Sequence, residues 1–553
     1  MRRPGFGLGA LAGLLLTAPL IAIFFVAWQG FGTPFPPFDL FDWLARALPG
    51  PVVTFGIDAI VGAIRTLGLG DVSDVAKTAE QVLAIGLVLI LGILVAGVAT
   101  AATRGRTSAM SPALATGAVL GVASFLVSLD VNLSVRGGPL TAGLWSLVAW
   151  LAWGLALGWL RDRVAAGSVG ARPAPVRSTE AGPERASAVA VDRRRFLVRV
   201  GGATALITVV GAGVGALLRE GGGEATTGAD APRPWSDRND LPNAGATPEP
   251  VAGTRPELTP VPDHYRIDIN TTPPRVDAAE WRLQVDGLVD QPRSFTLDAL
   301  RTYDPVHQFV TLSCISNRLG GDLIGTTRWT GVSLGRLLPD LGLQDDATHL
   351  RISSVDGFFE IVNLATVRAD ERVMLAYAWD GLPLPERHGF PLRIYVPDVY
   401  GMKQPKWIDR IEAIDGWEAG YWVERGWDAE ARMRATSVID TVQTDMMVAG
   451  EEGRLVPVGG IAHAGARGIE RVEVRVDDGP WREAELRPPL SGTTWVLWRY
   501  EWPFEPGRHT LTVRCVDGNG KMQIAERNPV RPSGATGLVS TDVMLQDAPA
   551  DPG

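Results

Sequence analysis

Long uncharged apolar runs fill the first part of this chain and short alternating runs fill the rest. Residues 6–28, 81–103, 108–129, 137–160 and 200–218 carry no charge, each for about the length a helix needs to cross a bilayer. Residues 50–64 are shorter and interrupted by Asp58, so they read as an interfacial helix or an element outside the membrane. The arginines test that count. With five spans and an inside N-terminus, Arg2 and Arg3, Arg104 and Arg106, and the segment Arg161 to Arg195 all fall on the cytoplasmic side, as the positive-inside rule requires. A sixth span would put these clusters outside.

Past residue 262 the period changes. Trp281-Arg-Leu-Gln-Val285, Leu350-Arg-Ile352 and Leu392-Arg-Ile-Tyr-Val396 predict strands, while residues 333–341, with Leu334, Leu337, Leu338 and Leu341 on one face, predict a short helix. From Thr436 the pattern predicts strands alone. Val472-Glu-Val-Arg-Val476, Trp495-Val-Leu-Trp-Arg-Tyr500 and residues 509–516 are punctuated by Asp477-Asp-Gly479 and Asp517-Gly518 turns, as in an immunoglobulin-like β-sandwich. Between spans and strands, residues 219–262 hold Gly, Ala, Thr and eight prolines from Pro232 to Pro262, with no apolar periodicity. Such a linker cannot build a core, and its length would let the soluble part sit roughly 35–40 Å from the anchor.

The predicted order is therefore multi-domain: a membrane domain with four transmembrane helices (1–160), an Arg-rich cytoplasmic segment (161–199), a fifth transmembrane helix (200–218), the linker (219–262), an α+β domain (263–435) and the β-sandwich (436–546). Charge divides the same way. Residues 1–218 carry a net +6 and the remainder −15, and so acidic a soluble part argues against nucleic-acid binding. Ahead of the fifth span, Asp192-Arg-Arg-Arg-Phe-Leu197 resembles the twin-arginine signal of proteins exported already folded. An ordinary cytoplasmic anchor of three arginines is the alternative, and both place residues 220–553 outside.

Chemistry narrows to a few residues. The chain has two cysteines. Cys515 alternates with Leu511 and Val513, which predicts a core position. Cys314 lies in the polar run Thr311-Leu-Ser-Cys-Ile-Ser-Asn-Arg318, where a lone thiol reads as a nucleophile, a single-thiolate metal ligand or a small buried hydrophobe. Lysine is scarce: Lys77, Lys403, Lys406 and Lys521 are the four present, and two of them share Gly401-Met-Lys-Gln-Pro-Lys-Trp407. Paired there beside His388-Gly-Phe-Pro-Leu-Arg393, they point to compact charges that grip a phosphate or a heteroaromatic ring.

Taken in order, Cys314 with Asn317 and Arg318, Arg328-Trp-Thr-Gly-Val332, Leu375-Ala-Tyr377, Gly381-Leu-Pro-Leu-Pro385, His388 to Arg393 and Lys403 to Trp407 resemble the molybdenum cofactor domain of the sulfite oxidase family over about residues 263–435. The resemblance implies a molybdenum held by one molybdopterin, with Cys314 as its protein ligand. It also implies that Asn317, Arg318, His388, Arg393, Lys403, Gln404 and Lys406 hold the pterin and its phosphate, with Asn270 in place of a cofactor-binding histidine. Two departures stand out. A second arginine that helps bind sulfite in that family is Leu319 here, and a catalytic tyrosine position, counted from Trp422, is Trp427. Both favour a less anionic or bulkier substrate than sulfite. A homodimer through the β-sandwich is implied by resemblance alone.

No histidine precedes His264, so the spans cannot supply a bis-histidine haem site, and two cysteines cannot ligate an iron–sulfur cluster. Electrons must pass through a separate redox protein or a quinone-linked carrier. The expectation is a membrane-anchored, extracytoplasmic oxidoreductase performing two-electron oxygen-atom transfer on a small molecule. A sulfoxide reductase, for example of oxidised methionine, is the alternative within the class. A non-catalytic tethered binding protein using the β-sandwich is the alternative outside it, and a cysteine hydrolase lacks an assignable base.

Overall fold

The computed structural model describes residues 5–68, 72–131, 139–169, 200–216, 233–450 and 453–546. The twin-arginine-like run lies outside the described residues. The chain falls into two compact units, one of Met1–Leu48, Val75–Ala231 and Ile269–Thr272, the other of Pro49–Asp74, Pro232–Asp268 and Pro273–Gly553.

Helices α1 (Phe6–Phe31), α2 (Pro36–Ala47), α3 (Gly50–Leu67), α4 (Val72–Ala102), α5 (Met110–Val131) and α6 (Pro139–Val169) are followed by α7 (Val200–Ala216). Four contain segments long and apolar enough to cross a membrane: Phe6–Phe31, Asp74–Ala102, Met110–Val131 and Leu140–Ala165. These match the first four expected spans. The fifth, α7, is a shorter apolar helix. Glycines set the helix spacing in the first unit. A methyl group on Gly13 of α1 would sit 2.6 Å from the Gly92 carbonyl of α4, and one on Gly154 of α6 would sit 2.5 Å from the Ala113 carbonyl of α5, so bare backbone is what lets these pairs approach. The expected membrane domain of residues 1–160 is not contiguous: α3 belongs to the second unit, where Arg531 bonds Asp58 at 3.2 Å.

In the second unit, among the described residues, ten strands precede residue 415: β1 (Leu283–Gly287), β2 (Arg293–Phe295), β3 (Val306–Ser313), β4 (Ile324–Ser333), β5 (His349–Ser354), β6 (Phe359–Asn363), β7 (Met374–Trp379), β8 (Leu382–Pro383), β9 (Arg393–Tyr395) and β10 (Ile408–Ile414). They form a sheet ordered β2-β1-β10-β5-β6 and a second ordered β3-β4-β7-β8, with β9 on β7. Alternation explains β5, where Leu350 and Ile352 turn into the core while Arg351 turns out. Leu334, Leu337 and Leu341 of the predicted helix, observed as Leu334–Leu341, are buried in that same core. The α+β expectation holds.

The remaining strands are β11 (Thr436–Val442), β12 (Val448–Gly450), β13 (Gly453–His463), β14 (Ile469–Val476), β15 (Arg482–Leu486), β16 (Val496–Pro503), β17 (Gly507–Asp517) and β18 (Val539–Leu545). Instead of two separate sheets, β15 pairs with both β14 and β16, making one barrel-like sheet. Its core takes Val458 of β13, Val474 of β14, Trp498 of β16 and Cys515 of β17.

The linker expectation is corrected for residues 233–262, which pack on the second unit. Trp235 N–H donates to the Asp380 carbonyl at 2.6 Å and Ser236 to the Asp380 carboxylate at 2.5 Å. Farther along, Arg487 donates to the Asn243 carbonyl at 2.8 Å, and Arg255 pairs with Asp440 at 2.7 Å. Val251 is 3% exposed. This strap is held by hydrogen bonds and an ion pair, which need no hydrophobic period, so prolines and polar residues serve it well.

Candidate active site

Strand β3 delivers Cys314 into a loop that returns at β4. Backbone bonds close it: Cys314 N–H donates to the Leu323 carbonyl at 2.9 Å, and Asn317 N–H to the Cys314 carbonyl at 3.0 Å. The Asn317 side chain accepts from Leu323 N–H at 3.1 Å, so Asn317 shapes the loop. The Cys314 sulfur lies 3.1 Å from the Ser316 hydroxyl. Burial pushes its thiol up, while Ser316 and the Lys406 charge pull it down.

The second segment arrives through β8, a short turn Glu386–His388, β9 and a second turn Gly401–Lys403. Gly389 lets it fold tightly: φ is +113°, and a methyl group there would meet Lys406 Cβ at 3.1 Å and Arg393 Cβ at 3.2 Å. His388 is 2% exposed. Arg393 donates to the His388 carbonyl at 3.0 Å, and its guanidinium lies 4.6 Å from the Trp329 ring and 5.0 Å from the Trp379 ring. The His388 ring stands 4.7 Å from Trp379 and 5.7 Å from His264. Lys406 donates to the Ile267 carbonyl at 3.0 Å and pairs with Asp268, which Arg266 also meets.

Burial shifts His388, His264, Arg393 and Lys406. It drives His388 well below the ordinary histidine range, with His264, Lys406 and Arg393 adding to the effect. It takes His264 down to about 3, Arg393 to about 10 and Lys406 to about 8, where Asp268 opposes it. His388 Nε2, Arg393 Nε and Arg266 Nη2 are buried and lack a hydrogen-bond partner. Unanswered buried donors cost free energy, and these gather where the cations outnumber the carboxylate. A phosphate-bearing heteroaromatic ring answers such a set, and a thiol that feels the Lys406 charge suits a soft metal. The residues present fit a molybdopterin.

Other expected residues are placed differently. Lys403 forms a buried ion pair with Glu360 at 2.7 Å. The Gln404 amide donates to the Val396 and Val399 carbonyls at 3.2 and 3.1 Å, leaving its buried carbonyl oxygen without a partner. Arg318 is exposed and lines a cavity beside the Cys314 loop. Trp427 packs with Ile315, Tyr400 and Met433, under the Arg531 guanidinium at 4.8 Å. Asn270 belongs to the first unit, where it accepts from Arg46 at 2.8 Å and from Lys77 at 3.2 Å. Sequence reasoning missed His264, Arg266, Asp268, Trp379 and Glu360. His264, Arg266 and Asp268 occupy every second position of His264-Tyr-Arg-Ile-Asp268, a polar alternation that was a usable signal.

Residues 270–422 match the family model of the oxidoreductase molybdopterin binding domain. The chain is 28% identical over 324 residues to mitochondrial sulfite oxidase of Mus musculus, covering 50% of this chain and 59% of that one. It is 32% identical over 153 residues to a putative protein-methionine-sulfoxide reductase subunit YedZ1 of Azospira oryzae, covering 28% of this chain and 56% of the relative. The crystal structure of sulfane dehydrogenase SoxCD from Paracoccus pantotrophus aligns with 59% of this chain and 96% of its own at 19% identity and a TM-score of 0.47. The chain spans somewhat over half the length of the curated relatives it matches. Together with the cradle around Cys314, the family-model match marks residues 270–422 as a molybdopterin-binding oxidoreductase domain. Within that class the chain is similar to sulfite oxidases over about half of its length.

Proposed function

We propose that this protein is a membrane-anchored, extracytoplasmic oxidoreductase that performs two-electron oxygen-atom transfer at a molybdenum bound by Cys314, on a substrate other than sulfite. The convergence of His388, Arg393 and Lys406, with buried donors left unanswered, on the loop of a buried thiol is the observation that carries the reading. The bound cofactor would supply the oxygen-transfer centre and the two electrons. The chain's own groups do the rest. The Cys314 sulfur is the ligand, and Ser316 steadies it with a hydrogen bond. Lys406, Arg393, Arg266 and His388 hold the anionic and heteroaromatic parts, and the Lys403 and Glu360 pair fixes the turn that presents them. Arg318 and Gln404 stand as further cofactor contacts. Leu319 and Trp427 shape the substrate side, where the indole donates a hydrogen bond but cannot act as a phenol.

The Arg clusters at 2–3, 104–106 and 161–195 support an exported soluble part, delivered by the twin-arginine-like run. Electrons pass to or from an external redox protein or a quinone-linked carrier, and the barrel-like domain serves homodimerisation. Sulfoxide reduction is the second reading, favoured by the relative named as a methionine sulfoxide reductase subunit.

Dye-linked turnover of sulfite and of methionine sulfoxide by the detergent-solubilised protein tests this. Faster turnover of the sulfoxide, lost in Cys314→Ser, is expected. Efficient sulfite oxidation with the sulfoxide inert would contradict the roles given to Leu319 and Trp427.

A further inference from the structure

Helix α3 packs on the second unit with one face and bares an apolar stripe on another. At about 3.6 residues per turn, Val52, Phe55, Ala59 and Ala63 fall on one side, and all four are exposed. Val52 is 51% exposed and Phe55 75%, with Leu67 at 68% closing the row. Thr54 and Ile64, on the other side, are buried. The Thr66 hydroxyl beside the stripe is answered within the helix, donating to the Gly62 carbonyl at 2.8 Å. An apolar row of this kind marks a contact surface. Chain length decides what covers it. Two residues separate α2 from α3, and five steps lead from Leu67 to Val72, where α4 begins, a reach of at most about 18 Å. Asp74–Ala102 is long and apolar enough to cross a membrane, as is Phe6–Phe31 ahead of α2. A helix tied so closely to a span, with hydrocarbon outward and Asp58 at the edge of the stripe, suits the headgroup boundary of a bilayer.

The same helix reaches the Trp427 segment. A methyl group on Gly50 would sit 3.1 Å from Arg425 Cα, and Asp58 bonds Arg531 at 3.2 Å. The Arg531 guanidinium lies 4.8 Å from the Trp427 ring, and Trp427 packs with Ile315, the neighbour of Cys314. We propose that α3 is a lipid-surface latch: Val52, Phe55 and Leu67 seat it in the interfacial layer of the bilayer while Gly50 and Asp58 hold the Trp427 segment, so that the substrate side of the second unit is presented at the lipid surface. The inference rests on α4 as a membrane span and on the substrate role proposed for Trp427, and it goes beyond both.

The test places full-length protein in phosphatidylcholine nanodiscs with an environment-sensitive fluorophore on Val52→Cys, on Ile90→Cys of α4, 56% exposed, or on Met544→Cys of β18, 61% exposed. Cys314 and Cys515 are buried, and wild type gives the labelling background. Molybdenum content checks that each variant is intact. The Val52 probe is expected to lose emission to doxyl-labelled phosphatidylcholine, as the Ile90 probe does, and to be spared by iodide, while the Met544 probe does the reverse. Adding Phe55→Asp to Val52→Cys should weaken the lipid quenching and admit iodide. Asp58→Asn should leave the lipid quenching unchanged and speed hydrogen exchange across residues 420–427. A Val52 probe quenched by iodide and not by lipid overturns the proposal, and unchanged exchange in Asp58→Asn does so too. Shielding from both quenchers assigns the stripe to a second copy of this chain and likewise overturns it. If the Ile90 probe also escapes the lipid, the membrane reading itself fails; if the Ile90 probe alone meets lipid, the latch falls and the span stands. No step of this depends on turnover.

Discussion

Cys314 and Cys515 are both buried free thiols, yet their regions differ in everything that matters for chemistry. Cys515 stands on β17 in a core with Val472, Val474, Leu511 and Val513, with the Gln523 side-chain oxygen 3.2 Å from its sulfur. Burial pushes that thiol up to about 12. Cys314 ends β3 in a loop closed by backbone bonds, and burial raises it too, but Ser316 and the Lys406 charge act against the rise. Burial therefore does not tell a ligand from a packed side chain. The donors and charges that face the sulfur do.

The comparison breaks most sharply at the sulfurs themselves. Cys314→Ser is expected to lower dye-linked turnover by more than about a hundredfold, beyond the usual cost of losing an outer partner of a metal. Cys515→Ala should leave turnover within about twofold. Comparable losses in both would mean that the contrast is false. Next in size is Lys406→Met, which removes the charge facing Cys314 and one grip on the cofactor. Losing a charged hydrogen bond costs about 1.5–3 kcal/mol, so pterin retained after gel filtration, read by fluorescence, should fall by about tenfold or more.

A pH profile sharpens the same point. Burial lowers Lys406 from 10.5 to about 8, and the ammonium form is the one that holds an anion. Cofactor affinity of the apoprotein is therefore full below about 8 and weakens as pH rises through it, by up to about tenfold per unit. Reconstitution of apoprotein at a series of pH values reads this, and Lys406→Met should flatten the profile. Smallest is the stability effect of Cys515→Ala. Deleting one buried sulfur leaves a void worth about 1–2 kcal/mol, seen as a lower unfolding temperature at unchanged molybdenum content.

Much of the site was legible because its residues sit in short runs. His388, Arg393 and Lys406 fall within nineteen positions, and the scarcity of lysine made Lys403 and Lys406 stand out. The structure then separates that pair: Lys406 pairs with Asp268 and its charge reaches Cys314, while Lys403 spends its charge on Glu360. Glu360 could not be found in advance, since it reads as an ordinary strand residue between Phe359 and Ile361 and only the fold brings it to Lys403. Asp268 and His264 left a trace in the polar alternation of residues 264–268, but only the fold brings them to Lys406 and His388. Apolar spans and alternating strands were legible because each rests on a local period. The strap was not. Its bonds run from Asp380, Asp440 and Arg487, more than a hundred residues away, and the proline-rich stretch that receives them has no period to reveal it.

Sulfur scatterers around molybdenum, counted by X-ray absorption on wild type, Cys314→Ser and Cys515→Ser, test the central claim most directly. The account predicts one sulfur fewer in Cys314→Ser and an unchanged shell in Cys515→Ser. A Cys314→Ser shell identical to wild type would contradict it.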